Sequence, residues 1–241
     1  MHAIWIITKK ELATFFDSLQ AYILLVVFLG LSGFFTWLYG NDVFLVGQAS
    51  LNAFFGIAYW TLFFFIPAIT MRMIAEENKS GTIELLITKA VSDGQIVVGK
   101  YLSCLLLIII ALLCTAPYYI TVANLGPVDH GSMIGGYLGM ILMSSAYIGI
   151  GLFASSISNN QIVSFLIALF IGAFFQILFD VMADNFTGTI ALILSYLSLG
   201  SHFESISRGV IDTKDVLYFV SVTAIGLILS QIILSKRNWI D

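Results

Sequence analysis

Long stretches without an ionisable acid or base leave this chain little choice of solvent. Residues 18–41, 43–71, 101–128, 131–179, 185–203 and 216–235 contain no Asp, Glu, Lys or Arg. A helix needs about 20 apolar residues to cross a bilayer core, and a charge at the bilayer centre is costly and functional when present. The fourth window is 49 residues long, more than one span needs. The polar run Ser155-Ser156-Ile157-Ser158-Asn159-Asn160-Gln161 divides it with a turn signal. The window 185–203 behaves differently, because its strongly apolar part, Ile190 to Leu199, covers only about ten residues and is interrupted by Ser195 and Ser198, which suits a re-entrant or interfacial segment. Six spans are therefore predicted, near 21–40, 50–71, 100–123, 133–155, 161–180 and 215–235.

Composition supports the same class. With 59% hydrophobic and 10% charged residues and a mean hydropathy of +1.00, a water-soluble globule would expose large apolar patches. The expectation is one all-α membrane domain over residues 1–241, without a separate soluble domain and without a cleaved secretory leader, since the first apolar run is about twice the length of a signal-peptide core. Six spans place Lys9, Lys10, Arg72, Lys79, Lys89, Lys100, Lys236 and Arg237 on one side and only Arg208 and Lys214 on the other. This asymmetry predicts both termini in the cytoplasm. A seventh span at 185–203 would weaken the asymmetry. Cys104 and Cys114 fall roughly 15 Å apart along one helix, too far for a disulfide.

The segments outside the spans carry the remaining information. On a helical wheel, Ile4, Trp5, Leu12, Phe15, Phe16 and Leu19 share one arc, and Lys10, Glu11, Thr14, Asp17 and Ser18 the opposite one, as in an amphipathic helix at the interface. The loop from Arg72 to Lys100 is dense in charge, with Glu76, Glu77, Lys79, Glu84, Lys89 and Asp93, yet holds the apolar group Ile83, Leu85, Leu86 and Ile87. Apolar side chains in a charged loop want a partner surface. Ser80-Gly81-Thr82 is a helix-start or turn signal, and Ser92 with Gln95 fits a capping box opening the third span.

Gly94 to Lys100 has the glycine and lysine spacing of a phosphate-binding loop. However, Tyr101 stands where a Ser or Thr must bind Mg²⁺, no strand precedes it, and the segment leads into a span. Pro67 and Pro117 predict local bends. Gly135 and Gly139, with Ser145, Gly149 and Gly151, predict close helix packing.

Catalysis finds no support, since His2, His130 and His202 lie outside the predicted spans and no catalytic motif occurs. Nor does ion coupling, since Asp180, at the outer end of the fifth span, is the nearest candidate. A neutral helix bundle of this kind needs an external energy source.

The stretch Glu76-Glu77-Asn78-Lys79-Ser80-Gly81-Thr82-Ile83-Glu84-Leu85-Leu86-Ile87-Thr88, followed by Val91-Ser92-Asp93 and Val97-Val98-Gly99-Lys100, resembles the corresponding stretch of ABC-2-type transporter permeases. Lys10-Glu11-Leu12 with Phe15-Phe16 and Tyr22 is similar to the family's opening segment. His202-Phe203-Glu204-Ser205-Ile206 with Arg208-Gly209-Val210-Ile211-Asp212 is similar to the segment before its last span. Within the family the likeness is greatest to gliding-motility-associated permeases, with copper-processing permeases as relatives.

The resemblance implies a permease of the bacterial inner membrane with no cofactor of its own, in a twelve-span dimer with a second or related permease. Its partner is a cytoplasmic ATPase that binds ATP and Mg, and no nucleic acid is involved. It further implies an elbow helix over 1–19 with Lys10, Glu11, Phe15 and Phe16, and an ATPase-coupling segment within 72–99. Glu76, Glu77, Ser80, Gly81, Thr82, Glu84, Leu85 and Leu86 would carry that coupling. A re-entrant pair over 186–206 would contain Tyr196, His202, Phe203 and Glu204. A non-transporting scaffold driven by the same ATPase is the alternative; ATP-dependent movement of a solute or lipid across reconstituted vesicles separates the two.

Overall fold

The computed structural model describes residues 2–39, 43–81 and 91–237. Thr82, Glu84, Leu85 and Leu86, four of the eight expected coupling residues, lie outside the described residues. Helix α1 (His2–Asp17) turns directly into α2 (Leu19–Trp37), the first span. A short α3 (Val43–Val46) precedes α4 (Asn52–Thr70), which continues through a turn into α5 (Ala75–Ser80). Helix α6 (Asp93–Leu113) and α7 (Ala116–Leu125) form the third span, and α8 (His130–Ile157) the fourth. The fifth runs through α9 (Gln161–Ala173), a π-helical turn (Phe174–Leu178) and α10 (Phe179–Asn185). Two short helices, α11 (Thr189–Leu197) and α12 (Leu199–Ser207), lead into α13 (Thr213–Arg237), the sixth. Six helical stretches among the described residues are long and apolar enough to cross a membrane. No described residue is in a strand. Even parity puts α1 and the end of α13 at the same end of the bundle, called here the terminal end, and the α11–α12 hairpin at the other.

Local chemistry sets the boundaries. Ser92 Oγ accepts from the Gln95 N–H at 3.4 Å while Gln95 Oε1 accepts from the Ser92 N–H at 3.2 Å, so the reciprocal capping box opens α6. Ser92→Ala removes one half of it and is expected to cost about 1 kcal/mol, read as a fall in the unfolding midpoint in nanodiscs. The divided fourth window turns at residues 158–160, where Asn160 Oδ1 caps α9 by accepting from the Ile162 N–H at 2.9 Å. The two prolines act differently. Pro67 sits inside an unbroken α4, whereas Pro117 stands in the first turn of α7, just past a break at Cys114 and Thr115. A proline is tolerated in a first turn, where its missing N–H has no intrahelical partner to lose. Beside this break an apolar groove of about 490 Å³ opens toward α8, lined by Leu113, Ala116, Tyr119, Met133, Tyr137 and Ile141 among others.

Helix α8 is the centre of the bundle. It packs against α4, α6, α9, α12 and α13, and its buried face includes Gly135, Gly139, Gly149 and Gly151. The spans wrapped around it expose Val26, Phe170, Phe174 and Ile225 to the surroundings, as a lipid-facing surface requires.

Candidate functional site

At the terminal end, three elements far apart in sequence meet on one buried cation. Lys100 lies in the second turn of α6 and its side chain is 2% exposed. Its ammonium is 2.7 Å from Glu77 Oε1 on α5 and 3.5 Å from Glu11 Oε1 on α1. Both carboxylates are largely enclosed, and Glu77 Oε2 is buried without a hydrogen-bond partner among the described residues. Two acids share one enclosed base here, with Lys100 closer to Glu77 than to Glu11. Lys10 adds a weaker, exposed contact to Glu11 at 3.6 Å.

The backbone under the cluster is equally close. Thr8 Oγ1 donates to the Gly99 carbonyl at 3.1 Å. A side chain on Gly99 would place its Cβ 2.7 Å from Ile7 Cγ2. Gly99 therefore permits α1 to lie against α6. The glycine and lysine spacing of residues 94–100 belongs to the opening turns of this helix, not to a loop. Arg72, at the end of the second span, places its guanidinium 5.2 Å over the Phe15 ring, a cation–π contact. These contacts tie α1, α5 and the start of the third span into one unit. The cluster has no nucleophile–base pair, and no group of three or more His, Cys, Asp or Glu suited to a metal ion occurs among the described residues.

The expected coupling residues separate by direction. Glu76 is exposed, whereas Glu77 turns inward to Lys100. Ser80 Oγ donates to the Glu76 carbonyl at 2.9 Å, and Gly81 ends α5 with φ +69, the left-handed closure that favours glycine. On α1, Lys10 is exposed, Phe15 is buried, and Phe16 packs beside the core. Glu11, placed on the polar arc by its wheel position, instead faces the protein. The sequence marks Gly99 and Lys100 by the Gly-Lys pair, which invites a nucleotide reading, and carries no signal for Thr8.

A second polar cluster holds the hairpin end. His202, 5% exposed, stacks on Tyr218 with ring centroids 4.0 Å apart. Its Nδ1 meets Asp215 Oδ1 at 2.6 Å and its Nε2 meets the Tyr196 carbonyl at 3.1 Å. Ser205 Oγ donates to Asp215 Oδ2 at 2.6 Å, and Ser201 Oγ donates to Asp180 Oδ1 at 2.9 Å. Phe203 packs on Tyr59 with centroids 5.2 Å apart. Glu204 faces outward and pairs with Arg208 at 2.6 Å, and the Tyr196 side chain is exposed. Beyond α12, the Asp212 carboxyl is held below its ordinary range, first by the backbone N–H of Lys214 and then by its ammonium.

A six-span bundle with a charged three-helix junction at one end and a clamped helical hairpin at the other defines a multi-pass membrane subunit without a catalytic centre at its junction. Comparison with curated proteins finds no match. The model of the family described as ABC-2 family transporter protein matches residues 41–235. The chain belongs to that family, which implies partnership with an ABC ATPase subunit.

Proposed function

We propose that this chain is the permease subunit of an ATP-driven exporter of the bacterial inner membrane, with both termini cytoplasmic and the terminal end docked on a separate ATPase that binds ATP and Mg. The observation that carries the reading is the Lys100 junction. It fastens α1 and α5, the only helical elements at that end besides the spans among the described residues, to the start of the third span. A push on either is then delivered to a membrane helix. A second permease copy or a related permease completes the transporter, and the likeness of the sequence as a whole to gliding-motility permeases supports that process as the setting.

Co-purification with the ATPase is the test. Reversing the exposed charges together, as Glu76→Lys with Lys79→Glu, is expected to weaken ATPase capture about tenfold and to make the remainder more salt-sensitive, because rim charges act on encounter and screening. Capture unchanged by the double reversal would remove α5 from the docking surface.

A further inference from the structure

The turn between α4 and α5 is held by a residue from another span. Ser155, fully buried in α8, accepts from the Ile74 and Ala75 N–H groups at 3.0 Å each and donates to the Met71 carbonyl at 3.0 Å. One donor and two acceptor sites are all that a hydroxyl has, so Ser155 is saturated by this turn. The need is plain: a helix start leaves N–H groups unpaired, and Ile74, in the capping position of α5, has no side chain that can accept. Ser155 caps α5 from across the bundle. One turn earlier, a side chain on Gly151 would place its Cβ 2.8 Å from Thr70 Cβ, so α8 also grips the last turn of α4.

The opposite end of α8 is fastened to the hairpin. Ser132 Oγ donates to the Ser207 carbonyl at 2.8 Å. A Cβ on Gly135 would lie 3.2 Å from Gly209 Cα, and one on Gly139 would lie 3.1 Å from the Phe203 ring. With these grips near its two ends, α8 runs 28 residues in all without a break or a proline, about 42 Å at 1.5 Å per residue. A packed helix of this kind shifts as a body because its neighbours leave it discrete rather than continuous positions.

We propose that Ser155 is the positioning residue through which displacement of α5 enters α8 and reaches the α11–α12 hairpin. The proposal rests on the reading that an ATPase moves α5. It assigns α8 the part of a strut gripped at both ends.

The test uses the permease and ATPase complex in nanodiscs, with Cys104 and Cys114 replaced by Ala and spin labels on Glu204→Cys and Asn124→Cys. The distance distribution between the labels is expected to shift on ATP addition in the parent. In Ser155→Ala the shift is expected to shrink about twofold or more, with ATPase capture retained, whereas Ser155→Thr, which keeps the hydroxyl, restores it. A merely structural serine would lower the melting point and leave the ATP response intact. If Ser155→Ala does not fold, Ser132→Ala cuts the grip at the other end and carries the same expectation. A full shift in these variants, or no ATP-dependent shift in a parent that holds its ATPase, overturns the proposal. A parent that captures no ATPase overturns instead the proposed function on which it rests.

Discussion

Lys100→Met is expected to lower the unfolding free energy of the protein in nanodiscs by about 3 kcal/mol, at the lower end of what breaking a buried ion pair costs. The estimate starts from geometry. Lys100 is enclosed, with Glu77 Oε1 at 2.7 Å and Glu11 Oε1 at 3.5 Å, so its removal leaves Glu77 without its cation and Glu11 with only the exposed Lys10 at 3.6 Å. Glu77 is 15% and Glu11 13% exposed, and that contact with the interface keeps the cost from the upper end. The effect belongs to the unpaired acids more than to the lost lysine. Lys100→Met combined with Glu77→Gln and Glu11→Gln is therefore expected to recover most of the loss, since a neutral, similarly packed set replaces a buried charge cluster at little net cost. Lys100→Arg keeps the charge but not its compact shape and should fall between. Equilibrium unfolding of the parent, the single and the triple variant checks this. A Lys100→Met protein within about 0.5 kcal/mol of the parent would show the cluster to be solvated.

What the sequence makes legible follows from where its signals act. The charge-free windows point to six long apolar helices, the number found among the described residues, because an ionised group facing hydrocarbon is costly wherever the chain places it. The turn at residues 158–160 and the capping box at Ser92 are legible because each is a contact between near neighbours in the chain. The junction is not, since Glu11 and Lys100 are brought together only by the packing of α1 on α6. A wheel sorted by hydrophobicity places Glu11 among the solvent-facing residues. It has no means of seeing that the neighbouring helix offers a lysine there. Ser155 is missed for the same reason: a serine cluster between two apolar runs reads as a turn, and the turn it serves lies on another span. The π-helical turn at Phe174–Leu178 has no local signal either. It brings Gln176 into the bundle, where the Tyr147 hydroxyl donates to it.

Close backbone packing yields the second large effect. A side chain on Gly226 would place its Cβ 2.5 Å from the carbonyl carbon of Gly149, and one on Gly149 would lie 3.1 Å from the Thr223 carbonyl oxygen. These neighbours are main chain and have no rotamer by which to withdraw. The helices themselves must part, along the most extensive helix–helix contact among the described residues, that of α8 with α13. Within a bilayer this contact draws on dispersion and close approach rather than on expulsion of water, so a small separation removes much of it. Gly226→Leu is expected to cost about 3 kcal/mol, the upper range for overpacking. Gly226→Ala should cost less, because the gain in helix propensity of about 1 kcal/mol partly offsets the strain. Gly30, on the first span, has no atom within 4 Å of its added Cβ, so Gly30→Ala is the matched control and should be neutral or stabilising. Unfolding midpoints of the three variants decide the matter: Gly226→Ala and Gly30→Ala moving in the same direction would mean that α8 and α13 are not in backbone contact. Opposite signs would place the rigid support of α8 on its sixth-span neighbour, where a strut gripped at both ends needs it.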